Sequence, residues 1–164
     1  MTLEQDLARL ALQEQTLRFE KFDESTAWEI GSRLKSAAEK RSAALIIDIT
    51  LGQISVFTCA LPGSSPNNAN WVKRKRATVL NFHRSSYAMG LQLQHDKTDL
   101  ESKFGLSLRD FAVHGGSFPI RAEGVGGVVG AITVSGLPQR EDHKIVVSVV
   151  AEFLGKSLDG LQLD

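Results

Sequence analysis

The sequence predicts an α+β fold in which helices flank an antiparallel sheet. Two strand-like segments, residues 44–51 and 53–61, are separated only by Gly52, and two more lie at 117–121 and 127–134. Strands joined by so few residues pair as hairpins, which favours an antiparallel sheet. Amphipathic helical segments precede, separate and follow the two hairpins.

The N-terminal part of the chain, residues 1–41, is predicted to be helical. Apolar residues recur at helical spacing after Thr2, a residue type that caps helices. A second helix is expected to start after Asp23 or Ser25. Between the two helices, residues 17–20 are a candidate for one further short strand.

The middle of the chain connects the two hairpins through helical segments. Residues 62–68 are rich in proline, glycine, serine and asparagine, a composition that predicts a loop. A helix over residues 69–85 is expected to follow. Shorter helical pieces are expected around residues 86–93 and 99–103.

The last helix is predicted to begin near Pro138 and to bury one face. Its apolar residues repeat with the helical period, in a stripe that consists of Ile145, Val146, Val149, Val150, Phe153 and Leu154. No linker is long enough to separate two domains. We therefore expect one domain over residues 1–164, with the sheet and its flanking helices in residues 44–160.

The composition argues against several functional classes. The chain has 164 residues, with 19 Lys+Arg and 19 Asp+Glu, so its formal net charge is zero. This balance argues against a general nucleic-acid binder and against a polybasic membrane adaptor. Cys59 is the only cysteine, and no segment has the features of a secretory signal or a membrane span. The expectation is a cytoplasmic protein without nucleic-acid or membrane partners.

Familiar catalytic and metal-binding motifs are not found. The four histidines have no i,i+4 pair and the cysteine is isolated, so no metal site is predicted. Residues 155–157 (Gly-Lys-Ser) lack the rest of a phosphate-binding loop, and no G-x-S-x-G elbow occurs. His114 and His143 are the better site candidates among the histidines. The alternative is that they are ordinary loop and helix-end residues.

Residues 73–76 (Lys-Arg-Lys-Arg) are the strongest charge cluster. The cluster covers more than one helical turn, so at least one member must flank the apolar face that includes Trp71 and Val79. One interpretation is a solvated surface or contacts with acidic residues of another subunit. The other is an anion site for a carboxylate, phosphate or haem propionate, with Arg74 and Arg76 as hydrogen-bond donors.

Three segments resemble the signature of a known superfamily. They are residues 114–120 (HGGSFPI), 127–138 (GVVGAITVSGLP) and 141–143 (EDH). Together they are similar to the GG-x-x-P-I, GxxG-x-I-x-VSG and D-H motifs of the GlcG/HbpS-like superfamily, which includes the C-terminal domain of PduO-type proteins. Residues 70–76 and 85–87 also resemble an uncharacterised branch of that superfamily, typified by a yeast cytosolic protein.

The resemblance, which spans about residues 45–154, implies a fold, an assembly and a ligand class. It implies profilin-like α/β/α layers with a five-stranded antiparallel sheet. It also implies a homodimer or a larger ring-like homo-oligomer. Relatives include haem-binding proteins, and the family is often labelled haem-degrading. Haem, or another planar or anionic small molecule, is therefore the expected ligand, although no motif assigns an axial haem ligand.

The motif residues are expected to form a ligand pocket. Gly115 and Gly116 would provide a tight turn with exposed amides, and Asp142 would favour the N-terminus of the last helix. A protonated His143 would be disfavoured at that helix end, which predicts a neutral imidazole. Alternatively, the motif is only a turn and a helix cap. The candidate ligand-binding residues are Trp71, Arg74, Arg76, His114, Gly115, Gly116, Phe118, Pro119, Ser135, Gly136, Asp142 and His143.

Three functions are compatible with these features. The first is an oligomeric cytosolic small-molecule-binding protein. The second is a haem-degrading or other redox-linked enzyme, whose catalytic groups would be His143, His114 or Asp142, although no motif selects a reaction. The third is an assembly or chaperone-linked interaction protein, in which the same residues shape subunit contacts.

Overall fold

The computed structural model, which describes residues 1–164, has six helices and four strands. The helices are α1 (Leu3–Thr16), α2 (Glu24–Lys40), α3 (Pro66–Phe82), α4 (Ser86–His95), α5 (Leu100–Phe104) and α6 (Gln139–Phe153). The strands are β1 (Ile46–Leu51), β2 (Ile54–Ala60), β3 (Ser117–Ile120) and β4 (Gly130–Ser135). The predicted α+β class, with helices flanking an antiparallel sheet, is confirmed.

The four strands form one antiparallel sheet in the order β2-β1-β4-β3. Strands β1 and β4 are central, and Ile46 at the start of β1 lies opposite Ser135 at the end of β4. Strand β3 pairs with β4 from Ser117, which lies opposite Thr133. The end of β4 and the start of β3 therefore lie close together at one end of the sheet.

The sheet has four strands, so the expectation of five is wrong. The segment between α1 and α2 makes only one isolated bridge, at Phe19. The Phe19 N–H donates to the Arg121 carbonyl, and the Phe19 carbonyl accepts from the Glu123 N–H, both at 2.9 Å. Helix α1 ends at Thr16 and the cap of α2 is at Asp23, and among the six residues between them only Phe19 pairs with a neighbouring segment.

Helix α3 begins and ends three residues earlier than predicted. Its first residue is Pro66, which suits the first turn because that position needs no N–H donor. The preceding Ser65 donates its backbone N–H to the Asn68 side chain at 3.0 Å. The helix ends at Phe82 because His83 takes a left-handed conformation, with φ of 56°. The first residue of this helix is therefore Pro66, which the sequence pattern placed in a loop.

The two faces of the sheet differ in character. One face packs against α2 and α6 in a cluster of 22 buried apolar residues, and the predicted stripe of α6 contributes Ile145, Val146, Val149 and Val150 to it. Helix α3 covers the opposite face. Because side chains alternate along a strand, that face carries Asp48, Thr133 and Ser135, all of which are buried. The polar face under α3 is where a binding site can form.

Helix α1 packs against α4 beside the main core. Leu10 of α1 joins Tyr87, Ala88 and Leu163 in a separate small apolar cluster. Arg140 of α6 also pairs with Asp6 of α1 at 2.8 Å. None of the six helices combines the length and apolar character that crossing a membrane requires.

Candidate functional site

A polar cavity opens between α3, the end of β4 and the start of α6. Its volume is about 230 Å³. Nine residues surround it, and only two of them are hydrophobic. The lining residues are Asn68, Trp71, Lys75, His114, Ser135, Gly136, Leu137, Gln139 and Asp142.

Simple periodicities bring these side chains together. Asn68, Trp71 and Lys75 are spaced three and four residues apart, so they lie on one face of α3. Gln139 and Asp142 have the same relation on the first turns of α6. The segments are adjacent because α3 crosses the sheet over the end of β4.

A buried ion pair lies beside this cavity. The Lys75 Nζ is 2.9 Å from the Asp142 Oδ2, and the two side chains are only 4% and 1% exposed. The Lys75 Nζ also donates to the Val134 carbonyl at 3.2 Å. The Asp142 Oδ1 accepts from the Leu137 N–H at 2.9 Å. The two buried charges thus compensate each other and have further hydrogen bonds, which a buried ion pair needs.

Burial changes the proton affinity of both partners. It lowers the pKa of Lys75, and the Asp142 carboxylate opposes this fall. It raises the pKa of Asp142, and the Lys75 ammonium and the Leu137 N–H oppose this rise. The two pKa values are therefore closer together than those of an exposed lysine and aspartate.

Gly116 allows the backbone to pass close to the ion pair. Its φ is +133°, a conformation that favours glycine. A Cβ at this position would lie 2.5 Å from the Val134 carbonyl oxygen and 2.8 Å from the Lys75 Nζ. The preceding Gly115 N–H donates to the Gln139 Oε1 at 3.2 Å. The expectation of an exposed amide at Gly115 is wrong, because the Gln139 side chain occupies it.

The mouth of the cavity combines an imidazole, an indole and a guanidinium. The rings of His114 and Trp71 pack edge to face, with 4.8 Å between centroids. The Arg74 guanidinium lies 4.5 Å from the Trp71 ring centroid, and its Nε donates to the Leu108 carbonyl at 2.8 Å. Partial burial, together with the charges of Lys75 and Arg74, lowers the pKa of His114. The His114 imidazole is therefore neutral near pH 7 and retains a free lone pair.

The structure brings only part of the predicted set to the cavity. Five candidates line it directly: Trp71, His114, Ser135, Gly136 and Asp142. Arg74 packs on the Trp71 ring at the mouth. Gly115 donates a hydrogen bond to the lining residue Gln139, and Gly116 lies close to the lining residue Lys75. Four candidates lie elsewhere: Arg76, Phe118, Pro119 and His143.

Arg76 points away from the cavity because it is one residue beyond Lys75. One residue turns an α-helix by about 100°. The Arg76 Nη1 donates to the Asp48 Oδ2 at 2.9 Å. Asp48 also accepts hydrogen bonds from Thr50 at 2.7 Å and Ser55 at 2.6 Å. Arg76 therefore compensates the buried Asp48 carboxylate of β1 and does not line the cavity.

His143 is a core residue in this structure. Gln13 donates from Nε2 to the Leu161 carbonyl at 2.6 Å, so its Oε1 accepts from the His143 Nε2 at 2.7 Å. The proton is thus on Nε2, and the buried Nδ1 has no partner. Burial, with a smaller contribution from Arg140, lowers the pKa of His143 to about 3. The imidazole is neutral, as predicted, but burial rather than the helix end is the main cause.

Phe118 and Pro119 belong to strand β3 and the sheet. Phe118 is 1% exposed, and its ring centroid lies 6.1 Å from that of His143. Pro119 lies opposite Ala131 in the ladder between β3 and β4. The expectation that Phe118 faces a pocket is therefore wrong, because this side chain is part of the main core.

Four lining residues were not among those predicted from the sequence: Asn68, Lys75, Leu137 and Gln139. Lys75 was detectable in part, because it falls three residues after Val72 and four before Val79. Both valines are buried. The helical repeat requires that one of the four basic residues 73–76 flanks the apolar face. That residue is Lys75, which is buried like Val72 and Val79.

Comparisons with known proteins agree with the motifs. The family model described as "Haem degrading protein HbpS-like" matches residues 22–151. A UPF0303 protein of Rhizobium meliloti (strain 1021) is 52% identical over 164 residues, covering 100% of this chain and 99% of that protein.

Solved structures extend the comparison. The crystal structure of the Ybr137w protein is similar with a TM-score of 0.81 and 31% identity, covering 91% of this chain and 87% of that one. The crystal structure of a PduOC:haem complex has a TM-score of 0.64 and 15% identity, covering 76% and 89%. The second likeness shows the fold alone. The family match and the extended identity show that the chain belongs to the HbpS-like family, within the superfamily that its motifs resemble.

Proposed function

We propose that this chain is a small-molecule-binding protein and that its cavity between α3, β4 and α6 takes a small carboxylate. The observation that carries the proposal is the buried Lys75 beside the cavity. A lysine ammonium has three N–H donors, and only two are used, on Asp142 and the Val134 carbonyl. One donor is left for an acceptor atom of a ligand.

The start of α6 adds to the preference for an anion. Pro138 is the N-cap of this helix and provides no side-chain hydrogen bond to its first N–H groups. Leu137 and Gln139 on either side of it line the cavity. The N-terminus of a helix carries a partial positive charge and exposes N–H donors, which favour a carboxylate. Asn68 and Ser135 supply further polar groups.

The size of the cavity limits the ligand. Its volume of about 230 Å³ is below the range of about 300–1,000 Å³ that holds drug-sized molecules. The ligand is therefore a small acid, or the acidic end of a larger molecule whose remainder lies against Trp71 and His114 at the mouth.

Calorimetric titration with a panel of small carboxylates tests this proposal. We expect saturable binding to the wild type and to Lys73→Met, since Lys73 is exposed on the same helix. Lys75→Met is expected to lose the binding. If no acid in the panel binds saturably, or if the two variants bind alike, the proposed site is wrong.

Haem is the second candidate ligand, supported by the neutral imidazole of His114 at the mouth. The HbpS-like family and the haem complex of the PduOC structure also favour it. The cavity interior does not fit a porphyrin, because only two of its nine lining residues are apolar. The mouth fits better: His114 would ligate the iron, which supplies the redox chemistry of the group, and Arg74 would pair with a propionate.

A hemin titration followed in the Soret region tests the haem candidate. We expect a saturable shift for the wild type and for His95→Ala, which removes another exposed histidine. The shift is expected to disappear in His114→Ala. An unsaturable shift, or one that His114→Ala retains, would eliminate haem binding at this mouth.

We further propose that the protein is a cytoplasmic homo-oligomer and that a second copy pairs along β2. Strand β2 is an edge strand without a charged residue or proline, the usual protections of a free edge. Ile54 on this strand and Trp28 of α2 are each 69% exposed. Trp28 also packs on Phe57 of β2, with 5.8 Å between ring centroids. The pair of exposed Trp28 and half-buried Phe57 lies beside the open edge, and Ile54 lies on the edge strand itself.

Light scattering coupled to size-exclusion chromatography tests the assembly. We expect an oligomer for the wild type and a smaller species for the double variant Trp28→Glu/Ile54→Lys. A wild-type protein that is monomeric at micromolar concentration would contradict this part of the proposal.

A further inference from the structure

We infer that Lys75 forms a covalent imine with a small carbonyl compound, a 2-oxo acid, that enters the cavity. This inference rests on the proposed function, because it assigns a reaction and a substrate class to the same site. The geometry points to it: the lysine is buried, lies beside an open cavity and has one carboxylate partner at 2.9 Å.

An amine attacks a carbonyl only when it is unprotonated. Ordinary lysines fail this condition at neutral pH, whereas burial lowers the pKa of Lys75. The Asp142 Oδ2 lies within hydrogen-bond distance and can take the proton. Lys73, two residues earlier on the same helix, is exposed and has no carboxylate within 4.0 Å. It therefore serves as the matched comparison.

The proposed step is balanced without an oxidant or a reductant. Asp142 first takes one proton from the Lys75 ammonium. The Nζ lone pair then attacks the carbonyl carbon, so a C–N bond forms and the C–O π bond breaks, and Asp142 gives its proton to the oxygen, which becomes a hydroxyl. Asp142 takes a second proton from the nitrogen and passes it to the hydroxyl, which leaves as water while the C=N bond forms. The net reaction converts one ammonium and one carbonyl into one protonated imine and one water, and Asp142 ends as the carboxylate it was at the start.

The surroundings of Lys75 favour a 2-oxo acid over a simple aldehyde. Gly116 has no side chain, and a Cβ there would lie 2.8 Å from the Nζ. The carboxylate next to the carbonyl would face the start of α6, where Pro138 provides no side-chain cap. Ser135 lines the same cavity and offers a hydroxyl to the second polar group.

Borohydride trapping of the full-length protein with glyoxylate tests the inference. After reduction, mass spectrometry of the intact chain and of its peptides locates the adduct. We expect one adduct per chain, located at Lys75, and no comparable adduct at Lys73 at neutral pH. Adducts spread over exposed lysines, or their absence from Lys75, would overturn the inference.

Variants separate chemistry from folding. Lys75→Arg retains a cation for Asp142 but forms no imine, so it should lose the adduct, whereas Lys73→Arg should retain it. Asp142→Asn should shift the pH at which Lys75 reacts, because it removes both the charge that raises the pKa of Lys75 and the group that takes its proton. If Lys75→Arg does not fold, the peptide map of the wild type decides the question alone.

Glycolate distinguishes the two proposals, since it has the carboxylate of glyoxylate but no carbonyl. If glycolate binds saturably and glyoxylate leaves no adduct at Lys75, the imine is wrong and the carboxylate site stands. If neither acid binds and no adduct forms, the proposed function fails and the imine with it. An adduct at Lys75 that glycolate suppresses supports both.

Discussion

Removing one partner of the Lys75–Asp142 pair should destabilise the protein strongly. In Lys75→Met the Asp142 carboxylate, 1% exposed, loses its counter-charge and keeps the Leu137 N–H as a donor. Breaking a buried pair from one side costs about 3–5 kcal/mol. Thermal unfolding of a chain of this size changes by about 2–4 °C per kcal/mol. We therefore expect a fall in Tm of roughly 6–20 °C.

The double variant Lys75→Met/Asp142→Leu tests whether the stabilities contributed by the two buried charges are coupled. It replaces both charges by apolar side chains, so neither is left uncompensated. Such replacements are often neutral or stabilising relative to the ion pair. In urea titrations we expect the double variant to be more stable than either Lys75→Met or Asp142→Leu. Additive losses, or a loss below about 1 kcal/mol for Lys75→Met, would refute the description of a coupled buried pair.

Three further predictions follow from other parts of the molecule. Folding lowers the pKa of His143 from 6.5 to about 3. As the pH falls, the unfolded chain therefore takes up a proton at His143 before the folded chain does. Stability should therefore fall by about 1.4 kcal/mol for each pH unit between about 6.5 and about 3, and His143→Gln should lose this slope in urea titrations at several pH values. Gly116→Ala should cost at least about 1–3 kcal/mol through backbone strain, measured in the same way, and should reduce carboxylate affinity in calorimetry. Arg76→Met should lower the Tm, because it leaves Asp48 without its cation, yet leave carboxylate affinity unchanged, since Arg76 lies outside the cavity.

The sequence predicted the parts of the fold that depend on local patterns. The hairpin around Gly52 and the apolar stripe of α6 follow from strand and helix periodicity, and both are present. The cap of α2 at Asp23 is also present, where the carboxylate accepts from the Thr26 N–H at 3.0 Å. The missing fifth strand shows the limit, because residues 17–20 have strand character but only Phe19 meets a pairing partner, Ala122, in the folded chain.

The site was harder to predict from the sequence, because no local pattern distinguishes the residues that form it. A helical repeat indicates that one member of residues 73–76 must turn inward, but identifying its partner Asp142 requires the packing of α3 on α6. The distinction between Lys75 and Arg76 depends on a rotation of about 100°. His143 carries no sequence signal that separates a core histidine from a ligand, since its partner Gln13 is 130 residues away.

A crystal structure of the protein with glycolate is the most direct test of the proposed carboxylate site. We predict that the glycolate carboxylate lies within hydrogen-bond distance of the Lys75 Nζ and the first N–H groups of α6. The Lys75–Asp142 contact should persist beside it. Glycolate bound at the Arg76 side of α3, or a cavity without glycolate in crystals grown above its solution Kd, would contradict the central claim.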